Sequence, residues 1–473
     1  MARCCSAVSR TEAAAGAPPA ATGPLVRQVA ASGGHLRALI GAAPERFPVL
    51  FDSVAAGVLG RYSILAAYPE ESLVLYGDGR LERNGKRLPA SGFMDAFEAS
   101  FVPLQSAAAE SPLPFTGGWV LYLGYELAGE LEPGLQLPRA SADEPVAIAL
   151  RVPAALVHEH ATDRVYAVAE AGRAELLQAL SGAAALVTSE AVDGAAASLK
   201  LQVEEEPPER FRDQVLAAQA YIRAGDVYQA NLSRRWSVRA AEPLSHASLY
   251  TRLRQANPAP FAAWAELPGH SILSSSPERL VRVRDGRIET RPIAGTRPRS
   301  GAPGRDRHET AAMTASPKER AEHVMLIDLE RNDLGRVCRA GTVRVSEFMI
   351  TESYQHVHHI VSGVEGQLRP GTSPAAVLRA LFPGGTITGC PKYRCMQIIG
   401  ELEGVARGAY TGSLGYINRD GSMDFNILIR TLTLHGDQVE FRAGAGIVAD
   451  SRWQRELAET RAKAQGLLRA FGL

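Results

Sequence analysis

Short apolar runs bounded by glycine, proline and aspartate come in clusters along this chain instead of alternating one by one with helices. Phe47-Pro-Val-Leu-Phe51, Arg61-Tyr-Ser-Ile-Leu65, Ser72-Leu-Val-Leu-Tyr76 and Gly118-Trp-Val-Leu-Tyr122 form the first cluster. Val227 to Trp236, Phe261 to Ala265, Leu280 to Val283 and Arg287 to Thr290 form the second, with Gly412 to Ile417 and Phe425 to Leu434 after it. Apolar periodicity predicts helices near 171–187, 211–224, 317–330, 373–381, 391–401 and 453–470. Strict alternation of strand and helix would demand a parallel sheet. Clustering predicts an α+β fold built on mainly antiparallel sheets.

With 473 residues, of which 46% are hydrophobic and 22% charged, the chain can bury one large core or two coupled ones. The polar stretch around Ser189 to Glu209 divides it. The expected organisation is a low-complexity tail at 1–24, an N-terminal region at 25–188, a linker at 189–207 and a second region at 208–473. A formal net charge of zero with no basic stripe argues against nucleic-acid and membrane partners and for a small-molecule substrate. Cys4, Cys5, Cys338, Cys390 and Cys395 contain no Cys-x-x-Cys spacing, which predicts free thiols in a reducing, cytoplasmic compartment.

Two spacings carry chemistry. Glu319 and Glu322 stand at i and i+3, about 60° apart on one helix face. Val324, Met325, Ile327 and Leu329 occupy much of the remaining circumference, so the helix is expected to be largely buried. Glu456 and Glu459 repeat the spacing on the last helix, with Lys463 in the same arc and Leu467, Leu468 and Phe471 beside it. Four carboxylates from two helices suit a hard cation that keeps some waters, which is the habit of Mg²⁺. Taken alone, ordinary surface ion pairs would account for the same spacing. Arg430, amid the apolar run Asn426-Ile-Leu-Ile-Arg430, needs an anion. His359, in Val357-His-His-Ile-Val-Ser362, reads more simply as a core histidine than as a catalyst. Glycine-rich turns at Gly295-Thr296, Gly384-Gly-Thr386-Ile-Thr-Gly389 and Gly444-Ala-Gly446 can bring backbone N–H groups to an anion but match no phosphate-binding motif.

Six motifs in order resemble the chorismate-utilising enzymes, specifically the synthase components of aminodeoxychorismate and anthranilate synthases. They are Gly225-Asp-Val-Tyr-Gln-Ala-Asn-Leu-Ser233, Ser275-Ser-Pro-Glu278, Arg291-Pro-Ile-Ala-Gly-Thr-Arg-Pro-Arg299, Lys318-Glu-Arg-Ala-Glu-His323, Phe382-Pro-Gly-Gly-Thr-Ile-Thr-Gly-Cys-Pro-Lys392 and Gly444-Ala-Gly-Ile-Val-Ala-Asp-Ser451 followed by Glu456 and Glu459. The resemblance implies two large, mainly antiparallel sheets packed face to face with helices outside. It implies Glu322 and Glu459 as Mg²⁺ ligands supported by Glu319 and Glu456, and Tyr410, Arg430, Gly444, Gly446, Lys463 and Thr386 around the carboxylates of chorismate. Glu278 is the implied general acid for the departing C4 hydroxyl, with His359 and Thr296 in the same pocket.

Gln229 stands where relatives that add water to chorismate carry a lysine base, which implies ammonia as nucleophile. The chain has no Gly-x-Cys-x-Gly elbow, so ammonia is expected from a separate glutamine amidotransferase subunit or from solution. Tyr228-Gln-Ala-Asn231, the Gly-Gly-Thr-Ile-Thr-Gly loop and Asn257-Pro-Ala-Pro-Phe261 look more like the 4-amino enzymes of folate synthesis, and Leu50-Phe-Asp-Ser53 departs from the tryptophan-binding element of feedback-inhibited anthranilate synthases. Ala294 points the other way, to the 2-amino branch, because the well-known 4-amino enzymes have a lysine there. An inactive chorismate-binding regulator is the third reading, opposed by the complete set of Glu278, Glu322, Glu459 and Lys463.

Overall fold

A strand that is apolar at consecutive positions must be covered on both faces. In the computed structural model, which describes residues 23–55, 60–89, 92–103, 111–187, 201–299, 301–353 and 357–473, that is what happens. Val49 and Ile64 pack into a core between two sheets, while their neighbours Leu50 and Leu65 pack outward against helices Gly33–Ala42, His246–Ala256 and Trp453–Leu468. On the second sheet Val120 faces the shared core, and Leu121 faces a layer that includes helices Phe93–Ser100, Pro317–Gly335 and Pro374–Leu381. Each such side chain, fully buried, contributes about 1.5–3 kcal/mol.

Among the described residues both sheets have twelve strands, and the pairings are antiparallel. The first runs from Leu25–Val29 through Tyr62–Ala67, Val49–Asp52, Phe261–Leu267, His270–Ser276, Thr431–His435 and Gln438–Ile447 to Gln229–Ala240 and Leu201–Glu205. The second runs from Ile293–Pro298 through Val357–Gln367, Arg287–Thr290, Arg279–Arg284, Met423–Asn426 and Ser413–Asn418 to Gly118–Leu123 and beyond. Strands from before and after residue 207 pair in both sheets: Val49–Asp52 with Phe261–Leu267, and Gly118–Leu123 with Ser413–Asn418.

Three expectations change. Of the linker, residues 188–200 lie outside the described residues, as do 1–22 of the tail, but Leu201–Glu205 is a strand paired to Gln229–Ala240. Helix Pro317–Gly335, started by Pro317 and by Ser316 Oγ accepting the Glu319 N–H, is covered on one side only. Leu326 and Ile327 are buried, whereas Val324 is 43% exposed. The run Phe425 to Leu434 is two strands: Met423–Asn426 ends in the second sheet, and Thr431–His435 begins in the first.

That last break matters most, because the chain changes sheets at residues 427–430 next to another of its crossings, the one between Ser276 and Arg279. The two crossings lie side by side. The Ile427 N–H donates to the Glu278 carbonyl (3.0 Å), the Ser275 N–H to the Arg430 carbonyl (3.0 Å) and Ser276 Oγ to the Ile427 carbonyl (2.5 Å). Arg430 takes φ +53°, a conformation that a regular strand never uses.

Candidate active site

Each crossing presents one chemically distinctive residue. Glu278 is 6% exposed, and its Oε1 accepts a hydrogen bond from Thr386 Oγ1 at 2.7 Å. Burial pushes its carboxyl up to about 7 against the opposing pull of Thr386, Lys463 and Arg430. At neutral pH a large fraction therefore keeps its proton, as a general acid must. Arg430 lies close enough to Glu278, Tyr410 and Glu459 to feel their charges, while burial lowers its own pKa. Among the described residues no carboxylate forms a salt bridge to its guanidinium, although Glu278 and Glu459 act on it at longer range.

The opposite wall comes from the paired strands Gln229–Ala240 and Gln438–Ile447. Gly446 lies opposite Asn231, and Gly444 opposite Ser233. A Cβ at Gly446 would fall 2.1 Å from Gln229 Nε2, and one at Gly444 would fall 2.5 Å from the Tyr410 hydroxyl, so glycine is what lets both side chains lie against the strand. Tyr410 is 8% exposed and shares a hydrogen bond with the Asn231 side chain. Lys463, on helix Trp453–Leu468, donates to the Gly444 carbonyl at 2.9 Å and pairs with Glu459 at 2.7 Å. Gln229 Oε1 is buried without a hydrogen-bond partner among the described residues, an acceptor left open in the wall.

His359 closes the remaining side. Strand Val357–Gln367 sets it across from Thr296, whose backbone alone is described. Burial, with Arg430 nearby, pushes the imidazole down to about 4, and its ring N–H donates to the Gly295 carbonyl. It is neutral at pH 7.

The structure thus gathers Glu278, Thr386, Arg430, Gln229, Tyr410, Gly444, Gly446, Lys463 and His359. It does not gather the four glutamates proposed for a metal: among the described residues no three carboxylate, histidine or cysteine groups come together to hold an ion. Glu319 pairs with Arg297 through one oxygen, and Glu459 is taken by Lys463. The donor set still suits a hard cation, since all four are carboxylates and Glu319 Oε2 is buried with no partner.

Residues 59–469 match the family described as chorismate binding enzyme. The chain belongs to that family. It is 42% identical over 364 residues to the anthranilate synthase component I-like protein of a Synechocystis species, covering 76% of this chain and 73% of that one. It is 38% identical over 435 residues to aminodeoxychorismate synthase component 1 of Bacillus subtilis, covering 88% and 90%. The crystal structure of anthranilate synthase component I from Streptococcus pneumoniae TIGR4 superposes with a TM-score of 0.76 at 31% identity, over 87% of this chain and 93% of that one.

In this chorismate-binding enzyme, two further residues stand near the gathered groups. Asn231 positions Tyr410. Glu330, 6% exposed and pushed up to about 8 by burial and the nearby Asp333, lies on the same helix as Glu319. Asn231 lies in the Gly225–Ser233 motif, whereas Glu330 has no local pattern that marks it and only burial in the assembled fold singles it out. A cavity of about 650 Å³, whose lining does not include Glu278, is bounded by Ser53, Tyr62, Phe261, Arg279, Tyr416 and Asp424. Asp52, in the element that departs from the tryptophan-binding pattern, is engaged internally by Ser63 at 2.8 Å and Arg254 at 2.6 Å. No helix among the described residues is long and apolar enough to cross a membrane.

Proposed function

We propose that this enzyme aminates chorismate with ammonia and that its product is 4-amino-4-deoxychorismate, the precursor of 4-aminobenzoate in folate synthesis. The observation that carries amination is Gln229. A neutral amide cannot deprotonate water, but its open Oε1 can accept an N–H from ammonia, which needs no base to attack. Arg430, Tyr410, Lys463 and the glycine-lined wall would hold the two carboxylates of the substrate, and protonated Glu278 would give its proton to the C4 hydroxyl, which leaves as water. Support for the 4-amino outcome comes from the likeness to the B. subtilis enzyme over 88% of the chain and from the altered Leu50-Phe-Asp-Ser53 element. Ammonia would reach the site from a separate glutamine amidotransferase subunit, in the cytoplasm.

Ala294 favours the second reading, an anthranilate synthase that adds nitrogen at C2 and expels pyruvate. It stands on strand Ile293–Pro298, opposite Ile360, the neighbour of His359, and it offers no amine to attack the ring. A product assay decides. Purified chain, chorismate, Mg²⁺ and ammonium salt should give 4-aminobenzoate only when an aminodeoxychorismate lyase is added; anthranilate and pyruvate without the lyase would overturn the 4-amino assignment.

Mg²⁺ belongs to the same proposal: held by Glu322 and Glu459, with Glu319 and Glu456 in support, it would neutralise a substrate carboxylate. Glu322→Ala should raise the half-saturating Mg²⁺ at least about tenfold and weaken Mn²⁺ binding, read by electron paramagnetic resonance, in parallel. Unchanged titrations in both would remove Glu322 from the metal.

A further inference from the structure

Behind Tyr410 lies a charged cluster that none of the chemistry above uses. Glu403, the last residue of helix Lys392–Glu403, is 1% exposed. Its Oε1 accepts from the Ser233 N–H (2.8 Å), Ser233 Oγ (2.9 Å) and Arg407 Nη2 (2.6 Å), and its Oε2 accepts from Arg407 Nε and Arg442 Nη2, both at 3.0 Å. Burial pushes this carboxyl up, yet the charges of Arg407 and Arg442 outweigh it and hold the group below the usual range. The carboxylate is ionised, both arginines are charged, and the cluster carries one cation more than it has anions. The adjoining acid is Glu126, which accepts the Arg407 and Gly408 N–H groups at 2.6 and 3.0 Å; burial pushes it up to about 7, so it offsets only part of the excess.

The cluster grips the substrate wall at three points. Arg407 Nη2 donates to the Asn231 carbonyl at 2.7 Å. The Arg407 guanidinium lies over the Tyr410 ring, 5.5 Å from its centroid, and over Tyr125 at 4.9 Å. Arg442 Nε donates to Ser233 Oγ at 2.9 Å, and Ser233 is the residue directly opposite Gly444. Three parts of the wall, Tyr410, Asn231 and the ladder position of Gly444, are thus braced from behind by this one group.

We infer that Glu403, Arg407 and Arg442 are positioning residues that hold the Tyr410, Asn231 and Gly444 wall in place and give it the net positive field that selects a substrate carboxylate. This rests on the reading of the site as one for chorismate. A buried excess charge acts strongly because little water screens it. Asn231 and Tyr410 add direction, since a bare point charge behind the wall would not fix where the carboxylate sits.

The test is chorismate binding by titration calorimetry, together with steady-state kinetics, on the full chain and on Arg442→Met and Arg442→Lys. Arg442→Met makes the cluster neutral and should raise the Kd and KM for chorismate about tenfold (about 1.4 kcal/mol), with kcat changed less than about twofold. Arg442→Lys keeps the charge and should recover binding to within about threefold of the unmodified chain. A purely structural role would lower the unfolding midpoint and the active fraction without moving Kd. If Arg442→Met does not fold, Arg442→Gln is also neutral and can keep the bond to Ser233. Neutral variants that bind chorismate as the unmodified chain does, or a Lys variant as weak as they are, would overturn the inference alone. An unmodified chain that does not bind chorismate would remove the reading of the site and this inference with it.

Discussion

Glu278→Gln should lower kcat by about 10²–10⁴ while chorismate binds within about threefold of the unmodified enzyme, because the amide keeps the shape of the carboxyl and its bond from Thr386 but has no proton to give. The pH profile separates this from misplacement. Burial holds the Glu278 carboxyl up to about 7, so kcat/KM, which reports the free enzyme, should fall about tenfold per unit as pH rises above that value. In the variant that limb should be gone. Stability moves the other way. A carboxyl whose folded pKa lies above its unfolded one favours the fold while protonated, and that contribution is lost as pH rises from about 4.3 through the folded value. Glu278→Gln removes the loss, so the variant should be no less stable than the unmodified chain at pH 8, measured by urea unfolding. A variant that keeps its rate, or one that keeps the alkaline limb, would take the general-acid role from Glu278.

Much of this fold is legible in the sequence, and what is not has a physical reason. Strands such as Val49–Asp52 and Gly118–Leu123 announce themselves because both faces of each sheet are covered, which leaves uninterrupted apolar runs. The same property hides the crossing at 427–430: Ile427, Leu428 and Ile429 are as apolar as any strand, and nothing in their order says that the ladder changes sheets. Arg430 stood out by its charge alone. The structure places it at a bend between two strands and not within one.

The carboxylate pairs show the limit from the other side. An i, i+3 spacing fixes that Glu319 and Glu322 share a face of one helix, and Glu456 and Glu459 a face of another. How near the two helices bring those faces is a tertiary quantity that no spacing encodes, and in the folded chain no three of the carboxylates meet. Ser233, Glu403, Arg407 and Arg442 lie deeper still in this blind spot. Glu403 reaches Ser233 across 170 positions and Arg442 reaches Ser233 across 209, so only the assembled first sheet brings them together.

Glu403→Ala should destabilise the protein by about 3–5 kcal/mol, the loss expected when one partner of a buried ion cluster is removed. The reason is asymmetry. The substitution removes an ion and leaves Arg407, 1% exposed at its side chain, and Arg442, 7%, buried without the carboxylate that both pair with, while the Ser233 N–H loses its acceptor as well. By contrast Glu175, 63% exposed in its pair with Arg173, should change stability by less than about 1 kcal/mol when made alanine, which gives a control for general surface effects. The pH dependence has a definite sign. Because the folded-state pKa of Glu403 is depressed, its contribution is fully present above the unfolded value near pH 4.3 and disappears as acid titrates through the folded value. Urea midpoints of the unmodified chain and of Glu403→Ala should therefore stand furthest apart at about pH 6–7 and converge in acid. Equal midpoints at neutral pH would mean that the two arginines find other partners, and the carboxylate would then be one neighbour among several and not the keystone of the first sheet's far end.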